Sequence, residues 1–194
     1  MERELPIYKM SINEDDNDES TVSFVALVDH PAIERNWIAF NKQFKFKTDN
    51  ERRIITGPLM IADLPIYRQS KEMGEFYVVF DKSEIEKIVQ KFFRQHNTSN
   101  VNMMHDANKQ VGGVYMFESF IVDTARGIKA PEGFTGITEG SWIGSYKVDN
   151  DEVWTSVING TFQGFSVEGI FDMVMEKKTV EDEIIQVIDE IAKL

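Results

Sequence analysis

The chain contains no cysteine, which removes disulfides, thiolate catalysis and cysteine-ligated zinc together. Any covalent nucleophile must therefore be an oxygen. Histidine is scarce: His30, His96 and His105 are the full set, and their separations in sequence do not match the close pairs from which histidine-rich metal sites are built. Positive charge is also short. With 21 Lys and Arg against 33 Asp and Glu, the formal net charge is −12. That balance disfavours a nucleic-acid backbone as partner, because such binding depends on clustered cations displacing counterions. No apolar run approaches the length needed to span a bilayer, and the opening "MERELPIYKMSINEDD" lacks the hydrophobic stretch of a signal peptide and turns acidic. An intracellular protein is expected, with no nucleic acid and no membrane among its partners.

What is present is an ordinary globular composition, 42% hydrophobic and 28% charged, over a length that suits one domain with a small appendage. "LPIYKMSI" and "TVSFVALV" read as strands on either side of "NEDDNDES", a polar acidic run expected to be a solvated loop. Further strands are expected in "QFKFKT", in "RRIITGPLMIAD" with a turn at Gly57-Pro58, and in "EFYVVF". "DKSEIEKIVQKFFRQ" predicts a helix, with Ile85, Ile88, Val89, Phe92 and Phe93 in one apolar stripe and Asp81 or Ser83 as cap. The stretch from Val101 to Asp123 reads as strand, polar turn "DANKQ" and a longer strand, and "WIGSYKV" as another. A short helix over about 151–158 should turn Val153, Trp154, Val157 and Ile158 inward and stop at Gly160. "TVEDEIIQVIDEIAKL" predicts a terminal amphipathic helix whose acidic face is either solvated surface or a handle for a partner.

The stretch "NGTFQGFSVEGIF" places Ser166 on an otherwise apolar, glycine-flanked strand. A serine hydroxyl is a weak nucleophile at neutral pH unless a base takes its proton, and histidine suits that task best. His105 is the candidate base, expected at a strand end just before the turn. Gly164 and Gly169 would admit another backbone or an extended substrate, or mark a bulge. The plainer readings are a small polar filler and a solvated histidine. His30 before a proline, His96 at a helix end, and the scattered Trp37, Trp142 and Trp154 suggest turn, surface and packing roles.

Taken together, "MMHDANKQVGGV" and "WTSVINGTFQGFSVEGIF" resemble the prohead (procapsid maturation) proteases of tailed phages. With "FVALVDHPAI" and "RRIITGPLMIADLPIYR" the set is most similar to the XkdF-like serine protease branch, over about residues 5–172. The resemblance implies an α+β fold, a compact and mostly antiparallel β-barrel with flanking helices like that of the herpesvirus assemblins. It divides the chain into a protease-like domain (1–178) and a C-terminal amphipathic helix (179–194). It implies Ser166 as nucleophile, His105 as general base, and cleavage of scaffold and major capsid protein inside an assembling procapsid in the host cytoplasm. No cofactor is required, and homo-oligomer formation stays open. A capsid-assembly or scaffold-associated protein with the same fold and no catalysis is the alternative.

The third catalytic member departs from the family pattern. The familiar acid lies on a strand after the serine, whereas the closest echo here, "FVALVDHPA", stands near the N-terminus with Phe24 in the acid's slot. Glu168 is the first substitute, since period-2 geometry puts it on the same strand face as Ser166. Asp29 is the alternative, although it could instead cap the turn into Pro31, and Asp106 ranks behind both. Oxyanion donors stay open among the N–H groups of Gly112 and Gly113 and the Arg126 side chain.

Overall fold

The structure is a computed structural model that describes residues 5–29 and 45–175. The expected helix at 179–194 lies outside the described residues, as do His30 and Trp37. The first half of the fold runs β1 (Ile7–Ser11), β2 (Thr21–Val28), β3 (Lys47–Asp49), β4 (Ile54–Met60), β5 (Ile66–Ser70), β6 (Gly74–Val79) and α1 (Lys82–Arg94). The second half runs β7 (Val101–Met103), β8 (Asp106–Gln110), β9 (Val114–Ile121), β10 (Trp142–Val148), α2 (Asp151–Ile158), β11 (Gly164–Ile170) and β12 (Asp172–Met175).

The fold is α+β. Its strands form three four-stranded sheets, ordered β12-β1-β6-β5, β3-β4-β10-β9 and β11-β2-β7-β8. Pairing is antiparallel except for β1 with β6 and β2 with β7. The barrel implied by the resemblance is not closed: among the described residues each sheet keeps two outer strands, and no ladder links the sheets into a ring. One apolar core, including Leu27, Ile55, Phe92, Trp142, Tyr146 and Phe165, fills the space between them.

Two turns expected from the sequence lie elsewhere. Gly57 and Pro58 sit within β4, not in a turn. β3 pairs only with Ile54 to Thr56, so among the described residues one side of β4 beyond Thr56 has no ladder in which a missing N–H is felt. Gly57 is needed for a different reason: a Cβ there would lie 3.1 Å from the Phe46 backbone. "DANKQ" is strand β8, and the chain reverses just before it. Met103 pairs with Asp106, and Met104 and His105 between them both have positive φ, 55° and 59°. A two-residue hairpin turn with two left-handed residues follows the twist of the strands and normally recruits Asn and Gly. Here it uses Met and His, at a cost of about 1–2 kcal/mol per residue.

Helix α1 begins at Asp81, whose carboxylate accepts the Glu84 N–H. Its buried stripe is rotated from the expected one. Ile85, Ile88 and Phe92 are inside with Glu84 and Lys91, while Phe93 is 40% exposed. Lys91 donates to the carbonyl oxygens of Asn13, Asp18 and Ser20 at 2.8, 3.0 and 2.8 Å, and Glu84 accepts the Ile12 N–H at 2.6 Å. The acidic run 13–20 is solvated on its outside, as expected, but it is wrapped around an ammonium on its inside. In α2, capped by Asn150, Val153 and Val157 are buried whereas Ile158 points outward, 53% exposed.

Lys91→Met should lower folding stability by about 2–4 kcal/mol, because three carbonyls, that of Ser20 buried and the other two partly so, lose their donor; urea denaturation measures this. Met104→Gly should raise stability by up to about 1 kcal/mol, relief of the left-handed strain outweighing the added freedom of the unfolded chain. An unchanged or lowered midpoint would count against strain in that turn.

Candidate active site

Ser166 lies on β11, whose neighbour is β2; β2 in turn pairs with β7. The register sets Ser166 opposite Ala26 and Ala26 opposite Asn102. These three side chains share one face of the sheet. The other face carries Phe165, Leu27, Val25 and Val101 into the core. Phe165 is clamped between Phe46 and Tyr146, with ring centroids 5.3 and 5.0 Å away. Its fixed burial settles the direction in which Ser166 must point.

Glu168, two residues on, shares the Ser166 face, and just after it the register with β2 slips by one residue. Gly169 makes the slip possible: a Cβ there would stand 2.0 Å from the Thr21 carbonyl oxygen. The glycine thus admits the chain's own β2 backbone at a bulge, a feature that re-aims neighbouring side chains.

His105 occupies the left-handed turn between β7 and β8, and the turn brings its ring back over the sheet. Its Nδ1 is 3.0 Å from Glu168 Oε1. The same oxygen accepts from Asn102 Nδ2 at 2.7 Å. Asn102 is wholly buried, and its Oδ1 has no hydrogen-bond partner among the described residues. An orphaned buried acceptor costs about 1–3 kcal/mol. Exposure grades across the site, from Ser166 at 4% overall to side-chain values of 26% for Glu168 and 43% for His105.

Ser166, His105 and Glu168 line one cavity of about 930 Å³, and Asp29 lines it at the end of β2. The direct contact is between imidazole and carboxylate; Ser166 shares their cavity without a hydrogen bond to His105. The carboxylate that meets the ring is that of Glu168. Asp106 is turned to its own strand, accepting the Asn108 N–H at 3.0 Å and facing Lys109 Nζ at 3.4 Å. The Asn108 backbone donor is the main reason that its carboxyl is held below the usual range.

The oxyanion candidates lie elsewhere. Gly113 backs onto Asn150 in the β8–β9 turn, Arg126 is 73% exposed beside Asp123, and neither these two nor Gly112 lines the cavity. His96 adopts the left-handed region before a 3-10 turn and is also outside it. The residue missed in the sequence is Asn102. Its signal is faint: one amide inside the apolar run "VNMM".

The cavity follows strand edges. Phe165 to Gly169 of β11 all line it, as do Ile66 to Gln69 of β5. Consecutive residues of a strand face opposite ways, so continuous lining means that the cavity opens along the backbone. Among the described residues β11 and β5 are each an outer strand of their sheet, and an outer strand is where a further extended chain can add.

A protein-family model described as "Putative phage serine protease XkdF" matches residues 42–176. No curated protein and no solved structure shows significant similarity. The matched segment runs from before β3 to the end of β12 and contains the serine, the imidazole and the carboxylate that meet around the cavity. The chain belongs to this phage serine protease family.

Proposed function

We propose that the protein is a serine endopeptidase that works through an acyl-enzyme, with Ser166 as nucleophile, His105 as general base and Glu168 as the carboxylate that orients the imidazole. The observation that carries this reading is the 3.0 Å contact between His105 Nδ1 and Glu168 Oε1, made by a carboxylate two residues beyond a cavity-lining serine. A carboxylate accepts only, so Nδ1 carries the proton and Nε2 keeps its lone pair for a serine hydroxyl.

In the reaction, Ser166 Oγ attacks the scissile carbonyl carbon as its proton passes to His105 Nε2. Glu168 stabilises the imidazolium. The C–N bond then breaks, with the proton passing from Nε2 to the leaving amine, and water activated by the same imidazole hydrolyses the ester. Substrate enters as an extended segment along the edges of β11 and β5, where main-chain pairing supplies affinity. Scaffold and major capsid protein segments inside an assembling procapsid in the host cytoplasm are the proposed substrates. They follow from the family rather than from any feature of the cavity. Kinship of the fold with the herpesvirus assemblins belongs to the same proposal.

One observation favours the second reading, a non-catalytic assembly protein: the Ser166 hydroxyl is not hydrogen-bonded to His105. Resting serine–histidine contacts are often long and tighten only with substrate, so the two readings part on reactivity. A serine-directed phosphonate should label the folded protein at Ser166, and both Ser166→Ala and His105→Gln should abolish labelling and scaffold cleavage. A folded wild type that neither takes the label nor cuts scaffold under crowded, assembly-like conditions would overturn the protease reading. Glu168→Gln removes the charge that stabilises the imidazolium, and should slow cleavage by roughly 10²-fold or more without loss of folding. Steady-state cleavage of a scaffold segment measures it, and an unchanged rate would shift the third role to Asp29.

A further inference from the structure

We infer that Asn102 is a positioning residue for this reaction, holding the Glu168 carboxylate at the one place from which it can fix the His105 ring. The inference rests on the protease reading. Glu168 is a flexible side chain with 26% of its surface exposed, and a single contact to an imidazole in a turn would leave its carboxylate free to swing. The Asn102 Nδ2 contact at 2.7 Å falls on Oε1, the same oxygen that receives His105 Nδ1. Two donors, one on β7 and one on the turn that follows it, therefore locate one acceptor on β11. The amide orientation follows from chemistry: an ionised carboxylate has no hydrogen to give, so the nitrogen of Asn102 must face it.

The surroundings of Asn102 point the same way. Its neighbours Val101 and Met103 are apolar, the residue is fully buried, and Oδ1 has no partner among the described residues. An apolar side chain would suit that position better for folding alone. What the amide adds is a donor that reaches across β2 to Glu168. Ala26 is the residue of β2 level with Asn102, and it carries only a methyl group.

The test uses the full chain with Asn102→Leu, and Asn102→Ala in case the larger residue impairs folding, each made with Glu168 present and in a Glu168→Ala background. The readouts are the second-order rate of phosphonate labelling, the thermal midpoint, and the low-field proton resonance of His105 Nδ1. Expected are a labelling rate lower by about 10- to 100-fold, the scale of a small misplacement of a reacting group, a midpoint unchanged or higher for Asn102→Leu, and loss of the Nδ1 resonance. In the Glu168→Ala background the Asn102 substitution should have no further effect on labelling. Wild-type labelling by the Asn102 variants, or the same loss with and without Glu168, would overturn the inference, the latter showing a merely structural role. If wild type itself is never labelled, the protease reading falls, and the Nδ1 resonance still decides whether Asn102 orders the Glu168–His105 pair.

Discussion

Ala26 stands level with Ser166 on one side and with Asn102 on the other, and the site depends on that double register. Among the described residues β2 is the only strand paired with both β11 and β7, so the hydroxyl and the turn bearing the imidazole are placed relative to each other by its two ladders. Ala26 carries only a methyl group, and Glu168, level with Phe24, meets Asn102 across β2. Phe165 and Leu27 on the reverse face lock the same strands into the core. Core packing and the geometry of the site are thus two faces of one sheet, and a slip of one residue in either ladder would exchange them.

The distribution of strain is consistent with this arrangement. Most of the fold uses residues suited to their conformations: Asp81 and Asn150 cap helices, and β2 is rich in β-branched and aromatic residues. Some exceptions sit at or beside the cavity, whereas Arg53, Asp63 and His96 hold positive φ and Tyr146 an unpartnered hydroxyl outside its lining. Met104 and His105 hold left-handed backbone, Asn102 leaves an acceptor orphaned, and Gly169 brings two backbones together at a bulge. Those at the cavity hold a fixed but unfavourable arrangement in the place where the chemistry is proposed.

Much of this was legible in the sequence. The strands of the core, both described helices and the shared strand face of Ser166 and Glu168 follow from alternation and spacing, whereas the roles expected of Ser166 and His105 come from the family resemblance. Other features depend on tertiary context. Gly57-Pro58 reads as a turn because the sequence does not reveal that β3 ends before it. "DANKQ" reads as a turn because it is polar, yet β8 is an outer strand, where polar residues are tolerated, and the true reversal uses Met and His. β5 and β12 lack strong alternation and are strands because neighbours pair with them. Lys91 reads as the polar face of α1 until the acidic segment closes over it, offering carbonyls that a lone helix does not have. Asn102 has meaning only once β2 sets it beside Glu168.

The family match begins at residue 42, whereas β2 ends at Val28. A recombinant fragment trimmed to the matched boundaries would retain nucleophile, base and acid in its sequence and yet lack the scaffold segment that spaces them. Two exposed ladders would be left facing each other across the width of a missing strand, so domain borders for expression are better drawn from strand order than from profile coverage.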